Sequence, residues 1–340
     1  MNRSLVVALF VRVLLTAAVV ASVAPAASAQ SRPSPGAVER VWPDPPAPPR
    51  IRFVSALVPR TARRRSLLRK VWDAVAGGSE APAMKQPYGL TLGAGGRLYV
   101  ADPPGHAVHV YDLRDGGYSR IEVASGSLIG IATVGGRIFL TDSVGGRVLC
   151  LNASGKRQWA VGAEAGLLRP TGIVSADDRV YVVDTLGHRV VAIGVDGRVL
   201  ERFGSRGAEP GQFNYPTSIA RDRAGRLYVV DAMNFRVQVF TPQGRFISAF
   251  GRAGDGSGDF SRPKGVALDS EGHVYVVDGL QDVVQIFDAD GRFLLAFGQP
   301  GREEGEFWLA TGIAIADDRI YVADSSNGRV QVFDYLKAEP

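Results

Sequence analysis

Six copies of one four-strand unit, a repeat period of 40 to 47 residues and an N-terminal segment that matches the strand missing from the last copy predict an all-β fold. Four short strands per copy make that fold a six-bladed β-propeller with four-stranded antiparallel blades. Each copy opens with a short apolar strand around a small residue: Tyr88-Gly89-Leu90, Ile129-Gly130-Ile131, Thr171-Gly172-Ile173, Thr217-Ser218-Ile219, Lys264-Gly265-Val266 and Thr311-Gly312-Ile313. A second strand follows and closes in turn at Asp102, Asp142, Asp184, Asp231, Asp278 and Asp324. Third and fourth strands such as 236–240 and 293–298, with glycine turns such as Asp290-Gly291-Arg292, complete the unit. Helical repeats have similar periods, but these copies alternate in steps of two and are rich in Val, Ile, Tyr and Phe.

The 340 residues are 46% hydrophobic with 41 Gly, 20 Pro and a single Cys, which supports a real core and excludes disorder, collagen-like structure and a disulfide scaffold. Residues 1–29 read as a cleaved secretory signal. Arg3 and Arg12 frame the charged start, Val13 to Val23 is apolar or small, and Ala27-Ser28-Ala29 has the cleavage pattern. A retained anchor is the alternative, although Arg12 inside it would be costly in hydrocarbon. An exported protein, periplasmic or secreted, is therefore expected. Residues 30–49 hold seven prolines and read as an extended tether, a spacer on which a partner could dock around Trp42. Cys150 sits in an apolar stretch and is expected to be a small buried core residue.

Copy six has no room for a fourth strand after Val330-Gln331-Val332-Phe333. Within residues 50–58, Arg52 to Leu57 aligns residue for residue with Arg245 to Phe250, the fourth strand of copy four, and is expected to close the ring. Burying Phe53, Val54 and Leu57 at roughly 2 kcal/mol each contributes on the order of 5 kcal/mol. Residues 59–85 form an insertion before the propeller body at 86–336. Leu67, Leu68, Val71, Trp72 and Val75 share one side of a short helix, with Arg63, Arg64, Arg65, Arg69 and Lys70 making a basic one. The net charge of +5 divides into +2 over residues 1–29, +7 over 30–85 and −4 over 86–340, so the positive charge lies outside the propeller.

Arg226-Leu227-Tyr228-Val229-Val230-Asp231, followed by Asn234-Phe235-Arg236-Val237-Gln238-Val239-Phe240, resembles the NHL repeat. Copy six shows the same pattern in Tyr321-Val322-Ala323-Asp324 and Asn327-Gly328-Arg329-Val330-Gln331-Val332-Phe333. The resemblance covers residues 86 to 334 and implies a six-bladed NHL propeller of an exported bacterial type. Copies one and two diverge, with Ala107 where an Arg is usual and no clear fourth strand in copy one. Such a resemblance speaks of fold more than of activity.

The recurring Asp, with Arg five residues later in Asp142/Arg147, Asp184/Arg189, Asp231/Arg236 and Asp324/Arg329, reads as a turn brace, because residues one strand away from the axis are too dispersed to share one ion. Peptide-amidating lyases of this blade architecture imply a zinc held by three histidines near the channel, and no first-strand position here offers one. Six-bladed calcium-dependent lactonases imply carboxylates or Asn in the channel lining. The first strands here start at Tyr88, Ile129, Thr171, Thr217, Lys264 and Thr311. No catalytic or metal residue is assigned, and no cofactor is expected.

Propeller geometry puts the fourth-to-first-strand connections and the second-to-third-strand loops on one face. The candidate binding patch there is Tyr88, Thr171, Leu186, His188, Thr217, Met233, Phe235, Lys264, Leu280 and Thr311. The expected function is a non-enzymatic, monomeric scaffold that holds a protein or small ligand in the cell envelope through this face. The basic segment adds contact with an anionic membrane surface. A calcium-dependent hydrolase or lyase with a channel site is the alternative. Nucleic acid is excluded as a partner by the export signal and the −4 of the propeller.

Overall fold

Strands of about five residues, separated by turns rich in Gly, Asp and Asn, pair with their sequence neighbours because a short turn returns the chain antiparallel. In the computed structural model, which describes residues 40–59 and 83–337, this happens around a complete ring of six blades. In blade 1, strands a to d are Leu90–Gly93, Arg97–Asp102, Ala107–Asp112 and Tyr118–Glu122. The last of these was illegible in the sequence because its outer position leaves it polar. In blade 6, Ala310–Ala316, Arg319–Asp324 and Arg329–Tyr335 are strands a to c, and Ile51–Leu57 is strand d. The leader and the helix expected within 59–85, including Arg63, Arg64, Arg65, Arg69 and Lys70, lie outside the described residues.

Ring closure follows the expected register. Phe53 lies opposite Phe333 and Leu57 opposite Val330, with a bulge between Phe53 and Ser55. The Pro-rich segment departs from a simple tether at its C-terminal end. Val41–Trp42 pairs with Arg52 and Ile51 as a fifth strand, and the Trp42 ring lies 5.9 Å from Phe297 and 5.8 Å from Phe333. Burial of this aromatic surface holds the strand down where proline cannot donate hydrogen bonds.

Strands a of consecutive blades touch around the circle and line a narrow central channel. Their small residues are required by this approach. A Cβ on Gly130 would lie 2.2 Å from the Thr171 carbonyl oxygen, and one on Gly312 2.0 Å from that of Tyr88. Threonine hydroxyls then join the blades. Thr141 Oγ1 donates to the Thr171 carbonyl at 2.6 Å, Thr171 to that of Thr217 at 3.0 Å, and Thr217 to that of Lys264 at 3.2 Å. Phenylalanine-rich cores fill the spaces between blades, with Phe213, Phe240, Phe260, Phe287, Phe307 and Phe333 all buried. Cys150 is buried as well, and burial pushes its thiol pKa up.

The six strand-b aspartates are fully buried and tie the d-a loop of each blade to its b-c turn or to strand c. Asp142 accepts from the Ser127 and Gly145 N–H groups at 3.0 and 2.9 Å and from Arg147 Nε at 3.1 Å. Asp184 accepts from the Leu168 and Arg169 N–H groups and from Arg189, and Asp231 from Asn214 N–H and Arg236. This is the turn brace read from the five-residue spacing. In blade 1, where Ala107 replaces the Arg, His109 Nε2 stands 3.1 Å from Asp102, and its Nδ1 is 2.8 Å from the Tyr118 hydroxyl. Burial alone would raise the Asp102 pKa. Hydrogen bonds from His109 and from the Lys85 and Gln86 N–H groups outweigh it and hold the carboxyl below its ordinary value. At Asp142, burial is likewise outweighed by hydrogen bonds from the Gly145, Ser127 and Gly126 N–H groups.

Two outcomes are expected. Gly130→Ala should destabilise the fold by about 2–3 kcal/mol in urea unfolding, because backbone must shift, while Ser218→Ala at the equivalent blade 4 position costs less than about 1 kcal/mol. Carboxyls with depressed folded-state pKa values stabilise the fold above their unfolded value, about 4, and lose that contribution as pH falls through the folded value. The melting temperature should therefore drop on acidification, and Asp142→Asn should lower it at neutral pH while flattening the acid limb.

Candidate functional site

A b-c turn that reverses direction within four residues needs one residue in the left-handed region. All six turns have one: His106 (φ 48°), Gly146 (60°), His188 (51°), Phe235 (54°), Asp282 (54°) and Gly328 (63°). This places two members of the candidate patch differently from the sequence reading. His188 is buried, with Nδ1 3.1 Å from the Phe213 carbonyl oxygen and its ring packed against Tyr215. Phe235 is half-buried against the core between blades 4 and 5. The left-handed backbone turns both side chains back onto a neighbouring loop, so they support the face and do not form its exposed surface.

Sequence reasoning missed the buried glutamines of strand c. Gln238 Oε1 accepts the Gly211 N–H at 3.0 Å, while its Nε2 donates to the Gln212 carbonyl at 2.7 Å and to Asp231 at 3.1 Å. Gln285 holds Gly258 N–H and the Asp259 carbonyl in the same way, and Gln331 holds Gly305 N–H and the Glu306 carbonyl. Each long d-a loop of blades 4 to 6 is thus pinned through one polar side chain with its hydrogen-bonding groups satisfied. The available signal was a Gln two residues after the third-strand start, in every copy whose preceding loop carries Gly-x-Phe.

The loops held this way carry apolar tips. Among the described residues, twelve large hydrophobic side chains are exposed, and eight of them belong to this face. Val144, Leu186, Met233 and Leu280 project from b-c turns, and Leu168, Tyr215, Trp308 and Leu309 from d-a loops. Leu280 is 61% exposed and Met233 54%. The Arg302 guanidinium lies over the Trp308 ring at 4.3 Å. The other four, Leu200, Phe246, Ile247 and Leu294, lie on outer strands d.

At the centre, Tyr88, Thr217, Lys264 and Thr311 line the channel. The threonine hydroxyls are already engaged. Thr171 Oγ1 is 2.7 Å from that of Thr185, Thr311 Oγ1 is 2.7 Å from that of Ser325, and Thr217 donates across the blade boundary. Tyr88 and Lys264 are half-buried. Burial raises the Tyr88 pKa against the opposing influence of Arg262 and Arg169. At Lys264 burial lowers the pKa, as do Arg262 and Arg169, with Asp278 opposing them. The channel lining holds no His, Cys, Asp or Glu, and among the described residues no such cluster is disposed to hold a metal ion. Hydroxyls beside an ammonium group do not fit calcium, which requires several anionic or carbonyl oxygens.

Residues 220–294, across blades 4 and 5, match a family described as a 6-bladed β-propeller, and residues 307–333, in blade 6, match the NHL repeat. Among curated proteins none matches the chain. Solved structures with a similar fold include the virginiamycin B lyase of Staphylococcus aureus, at 12% identity and TM-score 0.56 over 75% of this chain and 96% of that one. The calcium-binding protein regucalcin of Agrobacterium tumefaciens is similar at 17% identity and TM-score 0.58, over 76% of this chain and 94% of that one. A gluconolactonase of Xanthomonas campestris is similar at 17% and 0.60, over 90% of this chain and 100% of that one. At these identities the likeness is one of fold. The chain is a six-bladed β-propeller whose sixth blade matches the NHL repeat.

Proposed function

We propose that this propeller is an exported binding module, periplasmic or secreted, that holds a partner on the face formed by the d-a loops and b-c turns. The observation that carries the reading is the concentration of exposed apolar tips there, drawn from blades 2 to 6. Loop tips are ordinarily polar, and apolar tips on loops held by buried hydrogen bonds are organised in advance for contact. The basic segment at residues 63–70 adds charge complementarity toward an acidic partner or an anionic membrane surface. A calcium-dependent hydrolase or lyase is the second reading, favoured by the names of the similar structures. It needs ligands for the ion that the channel lining does not supply.

Binding partners recovered from envelope extract test the proposal. A Met233→Ser, Leu280→Ser variant is expected to lose the partner that the wild-type chain retains, whereas Leu294→Ser, on an outer strand, retains it. Identical recovery by all three proteins removes the face as the binding surface.

A further inference from the structure

Burying a cation without an ion pair is unfavourable, and at the channel mouth Lys264 is half-buried with no carboxylate at ion-pair distance among the described residues. The Lys264 stem runs along the b-c turn of its own blade, where a Cβ on Gly279 would lie 3.2 Å from its Cγ, next to the exposed tip Leu280. Arg262 and Arg169 stand in the d-a loops of blades 5 and 3, close enough to bear on both Lys264 and Tyr88. Among the described residues, none of these three side chains forms an ion pair with a carboxylate, and the Arg169 guanidinium makes only a 3.2 Å hydrogen bond to the Ser143 hydroxyl. The nearby Asp278 accepts from the N–H groups of Ser261, Arg262, Leu280 and Gln281, so its oxygens are engaged with backbone. The other strand-b aspartates of this face are matched by Arg147, Arg189, Arg236, Arg329 or His109. Cations without a paired carboxylate therefore stand at the mouth, with the exposed apolar tips Met233 and Leu280 on the b-c turns of blades 4 and 5.

Resting on the reading of this face as a binding surface, we propose that the mouth takes the anionic head of a small amphiphile, a carboxylate or phosphate held by Lys264, Arg262 and Arg169, with its apolar tail lying over the Met233 and Leu280 tips. The channel offers about 70 Å³ and is lined by strand-a residues including Lys264, Ile131, Ile219 and Val266, so it admits a head group and excludes a larger body. Ionised acceptors make short, charge-assisted hydrogen bonds with Lys and Arg, and these strengthen where water is partly excluded. The tail adds apolar burial on side chains that are otherwise left in water.

Calorimetric titration of the full chain at low salt with dodecanoate, dodecyl phosphate and dodecanol, each below its aggregation threshold, tests this. At least one anion should bind roughly tenfold or more tightly than the alcohol, and which anion binds tighter identifies the head group. Lys264→Met with Arg262→Gln should erase that margin without changing the melting temperature, and Met233→Ser with Leu280→Ser should weaken all three ligands alike. Equal affinity for the anions and the alcohol, a margin that survives the charge substitutions, or no binding at all overturns the anion site. In the first two cases the rim still stands if its own variant weakens binding. A rim variant that binds all three as wild type does would remove the rim and leave the head-group site.

Discussion

The close approach of the six innermost strands is the constraint on which the rest of the structure depends. Around the channel, the backbone of one blade runs so near the next that a methyl group at Gly89, Gly130, Gly265 or Gly312 would collide with a carbonyl oxygen. The carbonyls brought inward by this approach require donors, and Thr141, Thr171, Thr217 and Thr311 provide them from the preceding blade. Tight contact leaves little space on the axis. The channel's open volume is consequently only about 70 Å³.

Those loops are rigid for an electrostatic reason. A buried carboxylate is tolerable only when its lone pairs are occupied, and each strand-b Asp finds donors in the d-a loop and in the b-c turn or strand c. Satisfying the charge therefore fixes the d-a connection relative to the b-c turn. In blades 4 to 6 the buried Gln repeats the device one strand farther out. Ordering the loops in the folded state lowers the entropy to be lost on binding, which favours recognition by a surface that contributes mainly apolar contact.

Charge on this face is unevenly balanced. Four aspartates have an Arg on the adjoining strand and one has His109, while Lys264, Arg262 and Arg169 around the mouth have no carboxylate assigned to them. A propeller body with a net charge of −4 thus presents a local positive centre within an apolar ring. Fold alone predicts none of this, because one architecture can carry many different sites.

Strand number, blade count and ring closure were legible in the sequence because each depends on local periodicity or on a match between segments: the Asp spacings, the alternation of Val and Ile, and the likeness of 52–57 to 245–250. The brace formed by Asp and Arg was also legible, since both partners belong to one turn. Other assignments rested on residues far apart in the chain. Thr171 is occupied by Thr217 of the next blade, His188 is covered by Phe213 and Tyr215, and Trp42 leaves its proline-rich surroundings to pack on Phe297 and Phe333. Periodicity specifies which side of a strand is apolar, but it does not say which neighbouring loop lies over a side chain. Tertiary structure alone decided which polar groups were already engaged and which cations have no ion pair among the described residues, because hydrogen-bonding capacity is consumed between blades.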